Sequence, residues 1–245
     1  GTLTPDIETG KRLTSLGAPN VDTMMKDMQL PLYWGTQPGT SGPVYIGAII
    51  CFLFVLGFFL VDRRTKWWLL PMIALTLMLS WGEHFMWLTE LFIKYAPMYN
   101  KFRTVSMTLV ATGFGITLMA MLALKEVFND KTDKKALLRA VTISAGIVGG
   151  IALIPSLSGS FVADSIKNPA DAQFQGDYAF LKETLPLDRA AMLRSDALRS
   201  LMFVLAAAGL IWLYTKNILK KNLAYVCFAV IILIDMVPVA KRYLN

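Results

Sequence analysis

Six stretches of the chain would be apolar around their whole circumference if wound as helices, and polar stretches separate them. They occupy residues 42–61, 67–82, 104–124, 140–155, 200–215 and 222–240. The first reads GPVYIGAIICFLFVLGFFLV and carries no charge. A surface helix of a soluble protein keeps a polar face, and these blocks have none. A bilayer core of about 30 Å takes roughly 20 apolar residues of helix. The first, third and sixth blocks meet that length. The other three are slightly short and gain reach from flanks such as Arg139 and Arg199, whose heads stay in water while their stems lie along lipid. The pattern predicts an all-α fold, a polytopic integral membrane bundle of six transmembrane helices within residues 42–240. All six tryptophans, Trp34, Trp67, Trp68, Trp81, Trp87 and Trp212, fall at or just beyond block ends. That is where an amphipathic ring meets the headgroups.

The polar stretches form two sets. Residues 62–66, 125–139 and 216–221 are short and hold eleven basic residues in 26 positions. Residues 1–41, 83–103 and 157–199 are long and, with the tail 241–245, hold thirteen in many more positions. Basic density in short loops marks the cytoplasmic side, so both ends of the chain are expected to face outward. A polar lead of 41 residues without an initiator Met suggests a chain cut from a longer one.

The long outward stretches are the ones expected to carry function. Residues 34–43 are rich in Gly and Pro and predict turns. Residues 83–103 place Phe85, Trp87, Leu88, Leu91 and Phe92 around Glu90 and Lys94. At helical spacing this is an amphipathic segment lying on the outer surface or re-entering it. Residues 188–199 predict a helix running into the fifth block, with Pro186 just before it. The pairs Ala111 and Gly115, and Gly146 and Gly150, have the small-residue spacing that lets membrane helices approach closely.

Composition agrees and narrows the picture. The chain of 245 residues is 55% hydrophobic and 17% charged, against roughly 45–50% and about 25% in soluble domains. That excludes a disordered protein. Its 24 Lys+Arg and 17 Asp+Glu leave +7, which by itself raises nucleic acid as a partner. The short loops carry eleven basic residues and four acidic ones, Asp62, Glu126, Asp130 and Asp133, and so hold a net +7 alone. The excess is a topology signal, and no nucleic-acid partner is expected. Cys51 and Cys227 sit at different depths of their blocks and read as free, small packers.

The most site-like run is residues 95–103, at the outward start of the third block. A helix start offers unpaired N–H groups and the positive end of its dipole. Lys101 and Arg103 add two full charges there, with Tyr99 at headgroup level. A phosphate or pyrophosphate is one guest for that point, and simple anchoring of the helix at the interface is the other reading. Asp235 is the one formal charge well inside a block, and an ion pair with Lys241 or Arg242 is the simplest way to satisfy it. Glu83, His84 and Glu90 lie at the outward end of the second block. His84 is the only histidine, so a His-rich metal site is excluded, but a carboxylate site holding a divalent cation through oxygens stays open. Arg194, Asp196 and Arg199 form a charged patch before the fifth block, suited to lipid phosphate or to anchoring. There is no nucleotide-binding loop, nucleophile elbow, zinc spacing or catalytic triad.

Several runs resemble the bacterial YfhO-like membrane proteins, especially those of Bacteroidetes. They are LPLYWGTQP at 30–38, SGPVYIGA at 41–48, LSWG at 79–82, YNKFRTVS at 99–106, LRSDALRS at 193–200, and Asp235 with VAKRYLN at 239–245. The family looks like large polytopic glycosyltransferases of the GT-C type in the bacterial cytoplasmic (inner) membrane. The resemblance implies transfer of a sugar from a polyprenyl-phosphate carrier, on the outer side, to a cell-surface glycan or polymer. It places the donor phosphate near Tyr99, Lys101, Arg103, Arg194 and Arg199, and makes membrane lipid and the rest of the same polypeptide the partners. It also implies that the catalytic carboxylate stands in an early outward loop, upstream of this chain's middle-like segments. Glu83 and Glu90 are then only fallback candidates. A transporter or flippase, or a membrane anchor for a larger protein, are the alternatives from other classes.

Overall fold

The computed structural model describes residues 8–17, 45–96, 105–157, 171, 176 and 179–241. Every regular element among them is helical. In chain order they are α1 (Glu8–Ser15), α2 (Ala48–Leu60), α3 (Arg63–Ser80), α4 (Met86–Tyr95), α5 (Leu109–Val127), α6 (Lys134–Leu157), α7 (Leu181–Thr215) and α8 (Lys221–Lys241). Short 3-10 turns, Gly82–Phe85 and Val105–Thr108, lead into α4 and α5. Four of these helices, α5, α6, α7 and α8, are long and apolar enough to cross a membrane. They correspond to the third to sixth apolar blocks. The chain divides into two compact units, one of Gly1–Pro43, Gly149–Met202 and Pro238–Asn245, the other of Val44–Val148 and Phe203–Val237.

The second unit is built around α2. Ile49, Phe52, Leu53 and Leu56 repeat at helical spacing and are essentially inaccessible. Ala120 and Leu124 of α5, Leu137, Ala140 and Val141 of α6, Val204, Ala207 and Ile211 of α7, and Ala224 and Phe228 of α8 belong to the same core. This explains the uncharged first block: a helix enclosed by protein needs no polar face. The helix has 13 residues, about 20 Å at 1.5 Å per residue, because residues 45–47 are non-helical and Gly47 has φ 99°.

The second block forms α3, which starts earlier than its apolar stretch. Asp62 caps it, accepting from the Thr65 N–H and hydroxyl at 2.8 Å each. These bonds hold the Asp62 carboxyl below the ordinary carboxylate range. Arg63, Arg64 and Lys66 occupy the first turn, so the apolar part is about 14 residues, or roughly 21 Å. The face of α3 that packs on α5 carries Leu69 and Ile73, which meet Met119 and Ala123. A Cβ added at Gly115 would stand 2.5 Å from Ile73 Cγ1. The small residue at 115 therefore sets how closely α3 and α5 pack, and the Thr76 and Thr112 hydroxyls bond across the same seam at 2.8 Å.

α3 ends at Gly82, whose φ of 51° turns the chain out of the helix. The Thr89 hydroxyl reaches back to the carbonyls of Gly82 and Phe85 and ties α4 to that turn. The helical segment expected within 83–103 is thus present as α4.

In the first unit, Leu13 of α1 and Leu181 and Leu185 of α7 are buried. Gly149 of α6 packs against Leu201, which would lie 3.1 Å from an added Cβ. The helix expected from residue 188 begins at Leu181 and contains Pro186 rather than following it. Proline there removes the bond to the carbonyl four residues back. That carbonyl belongs to the exposed Lys182, so the helix continues at small cost.

Candidate functional site

The polar groups that the fold gathers are carboxylates placed on the starts of other helices. In the second unit, Asp235 lies on α8 and is 1% exposed. One carboxylate oxygen accepts from the Tyr45 hydroxyl at 2.7 Å. The other accepts from the Ala48 N–H at 2.8 Å and, more loosely, from the Ile49 N–H at 3.5 Å. The residue preceding α2 is Gly47, which supplies no side-chain cap. A carboxylate from a helix 187 positions away does that work. Three physical terms make the arrangement favourable. The N–H groups of a first helical turn are otherwise unpaired, the helix dipole is positive there, and a buried charge needs donors. Gly47 lets the two approach: a Cβ on it would stand 3.2 Å from Asp235 Oδ2.

In the first unit, Asp188 on α7 is fully buried and repeats the device. It accepts from the Glu8 N–H at 2.7 Å and the Thr9 N–H at 3.1 Å, the first residues of α1. The Thr9 hydroxyl donates to the same carboxylate and lies 2.9 Å from the Thr184 hydroxyl. The next residue, Arg189, is also fully buried. Its two terminal nitrogens reach the two oxygens of Asp171 at 2.6 and 2.8 Å, a bidentate pair. Two adjacent residues of one helix thus fasten two remote segments, α1 and the turn at Asp171.

The residues expected from the sequence are distributed as follows. Glu90 is exposed on α4, and Glu83 lies in the 3-10 turn before it. Tyr99, Lys101, Arg103 and Arg242 lie outside the described residues. Arg194 is exposed and Arg199 half-buried on α7. Five residues apart, they are roughly 140° apart around the helix and lead to different sides. Asp235, expected to pair with Lys241 or Arg242, is bonded to Tyr45 and the start of α2, and Arg242 lies outside the described residues. Lys241 is six positions on, more than a turn and a half away. Cys51 and Cys227 are free thiols. No group of three or more His, Cys, Asp or Glu able to hold a metal ion occurs among the described residues.

Sequence reasoning missed Asp188, Arg189, Asp171, Thr9, Tyr45 and Gly47. An adjacent Asp–Arg pair ahead of a membrane helix reads as a solvated helix start, and nothing local in the sequence separates that from a buried pair. Asp235 alone carried a usable signal, its charge within an apolar block. No protein-family model, no curated protein and no solved structure matches the chain.

Proposed function

We propose that the chain is the membrane bundle of a GT-C-type glycosyltransferase of the YfhO-like kind. In this reading six helices span the bacterial cytoplasmic membrane, with α2 and α3 as the first two spans beside the four longer ones. A polyprenyl-phosphate-linked sugar is held at the outer headgroup level, and the sugar passes to a cell-surface glycan or polymer. Lys101 and Arg103 meet the donor phosphate, with Tyr99 beside them. Arg194 and Arg199 face lipid or donor phosphate separately, as their different sides of α7 require.

The observation that carries this reading is the buried polar core of the first unit, Asp188 with Thr9 and Arg189 with Asp171. It belongs to stretches read as outward loops. A plain anchor has no use for fully buried charged groups there, whereas an enzyme working on the outer face needs an ordered framework for its donor. The transporter reading is less favoured. It needs a polar path through the helices, and the carboxylate that offered one, Asp235, is bonded to Tyr45 and the start of α2.

The test is sugar transfer in membranes of the native host with Lys101→Ala and Arg103→Ala combined. Loss of transfer, or a raised donor requirement, is expected. Unchanged transfer removes the donor-phosphate assignment.

A further inference from the structure

The helix α4 has a division of faces that sugar transfer does not explain. Leu88 and Thr89 are buried in their own unit and Phe92 is half-buried. Outside that face, Trp87, Leu91 and Tyr95 follow one another at intervals of four residues. They form one strip along the helix, and they are 69%, 41% and 71% exposed. Glu90 and Lys94, also four apart, form an adjacent exposed ridge. The Lys94 ammonium lies 5.4 Å from the centre of the Tyr95 ring. An exposed strip of Trp, Leu and Tyr beside a charged ridge is costly in water and is what a headgroup layer accommodates.

The strip does not stand alone. α3 leads into it through the Gly82 turn, and Leu75, Leu77 and Trp81 of α3 are exposed as well. The rings of Trp81, Phe85 and Trp87 follow one another edge to face, with 6.1 and 6.3 Å between centroids, so apolar surface runs across the turn from α3 to α4. The Thr89 bonds to Gly82 and Phe85 keep α4 at that turn.

We propose that α4 is an interfacial helix that docks on the phospholipid surface. Trp87, Leu91 and Tyr95 enter the boundary between headgroups and acyl chains, Lys94 sits at the phosphates, and Glu90 faces water. This rests on the membrane reading of the bundle and not on the identity of any sugar donor. Its ligand is bulk phospholipid, recognised by an amphipathic strip rather than by a closed pocket.

The test uses the whole chain in vesicles of phosphatidylcholine and phosphatidylglycerol, with Cys51→Ala and Cys227→Ala removing the native thiols. Spin labels are attached at Leu91→Cys, Tyr95→Cys or Glu90→Cys, all exposed sites whose replacement leaves the core intact. Collision with oxygen, which concentrates in lipid, is compared with collision with a water-soluble nickel chelate. The oxygen-to-nickel ratio is expected to be several-fold higher at 91 and 95 than at 90. Equal ratios at the three sites overturn the proposal. So does low access to both reagents at 91 and 95, which is the result for a strip covered by protein. A second measurement needs no label: Trp87→Phe is expected to lower the tryptophan fluorescence quenched by brominated lipid. An unchanged intensity lost to brominated lipid counts against docking. None of these readouts involves sugar transfer, so they fail or succeed separately from the donor assignment.

Discussion

Asp235 and Ala48 are 187 positions apart in the chain, and the carboxylate of one accepts the backbone N–H of the other at 2.8 Å. The bond joins the C-terminal half of α8 to the first turn of α2, the helix around which the second unit is packed. A helix enclosed on most sides has little access to water for its unpaired N–H groups, so a cap must come from protein. α8 supplies it as a carboxyl group, whose oxygens accept at the positive end of the α2 dipole.

Removing that acceptor is expected to loosen the bundle. Asp235→Ala should cost about 2–3 kcal/mol, the range for charge-assisted hydrogen bonds whose buried partners are left unpaired. Asp235→Asn keeps one acceptor and should cost less, and Tyr45→Phe about 1 kcal/mol. Denaturant unfolding in micelles, read by helical circular dichroism, measures all three. Equal stability of Asp235→Ala and the parent excludes the capping role.

Gly47 should tolerate no side chain. Its φ of 99° is strained for any L-residue, and a Cβ would press on Asp235 Oδ2. Gly47→Ala is expected to cost about 1–3 kcal/mol, the usual range for such backbone strain. In the Asp235→Asn background the backbone term remains, so the penalty should persist. Loss of the penalty there would assign it to the carboxylate contact alone.

The start of α3 should respond to acid through Asp62. Its folded carboxyl titrates below the ordinary range because the Thr65 N–H and hydroxyl favour the charged form. A lowered folded pKa contributes stability above the unfolded value, about 4. That stability is lost as pH falls from there through the folded value. Exchange of the Thr65 amide hydrogen should therefore lose protection in that acid window and be flat above it. Asp62→Asn keeps a good cap and should remove the acid step. An acid step of undiminished size in that variant would show that another group titrates.

The long apolar blocks announced their helices: α5, α6 and α8 follow them, and α7 contains its block but starts well before it, at Leu181. The helix of the first block, 13 residues, is shorter than the block itself for a physical reason. An apolar stretch has the same composition whether lipid or protein encloses it, and the stop at Gly47 depends on Asp235, far away in the chain. Gly115 was legible as a close-packing residue because its spacing from Ala111 is local. The pair Gly146 and Gly150 has the same spacing, yet among the described residues nothing lies within 4 Å of a Cβ built on either. Spacing reports that two helices can approach there, not that they do. Of the candidate site, Asp235 stood out by its charge, while Asp188 and Arg189 were hidden because their burial is set by α1 and Asp171.

Gly115→Ala is expected to destabilise the α3–α5 seam, since the added methyl meets Ile73 at 2.5 Å. Overpacking of this kind costs about 1–3 kcal/mol. Ile73→Val in the same chain removes a methyl from that side and should recover part of the loss. Unfolding of the single and double variants forms a cycle whose coupling should be favourable. A coupling of zero would mean that the two residues do not meet.

The buried pair of Arg189 and Asp171 yields a prediction with two opposed outcomes. Arg189→Met leaves the Asp171 carboxylate, 6% exposed, without its bidentate partner. Breaking one side of such a pair costs about 3–5 kcal/mol, because desolvation of the remaining charge is no longer compensated. Replacing both residues, Arg189→Met with Asp171→Leu, removes both charges and should restore much of the stability. Limited proteolysis of the first unit in micelles reads the difference: faster cleavage for the single variant, near-parent cleavage for the double. If the double variant is cleaved as fast as the single one, the pair contributes through its hydrogen-bond geometry. In that case charge compensation is not what holds the Asp171 turn against α7.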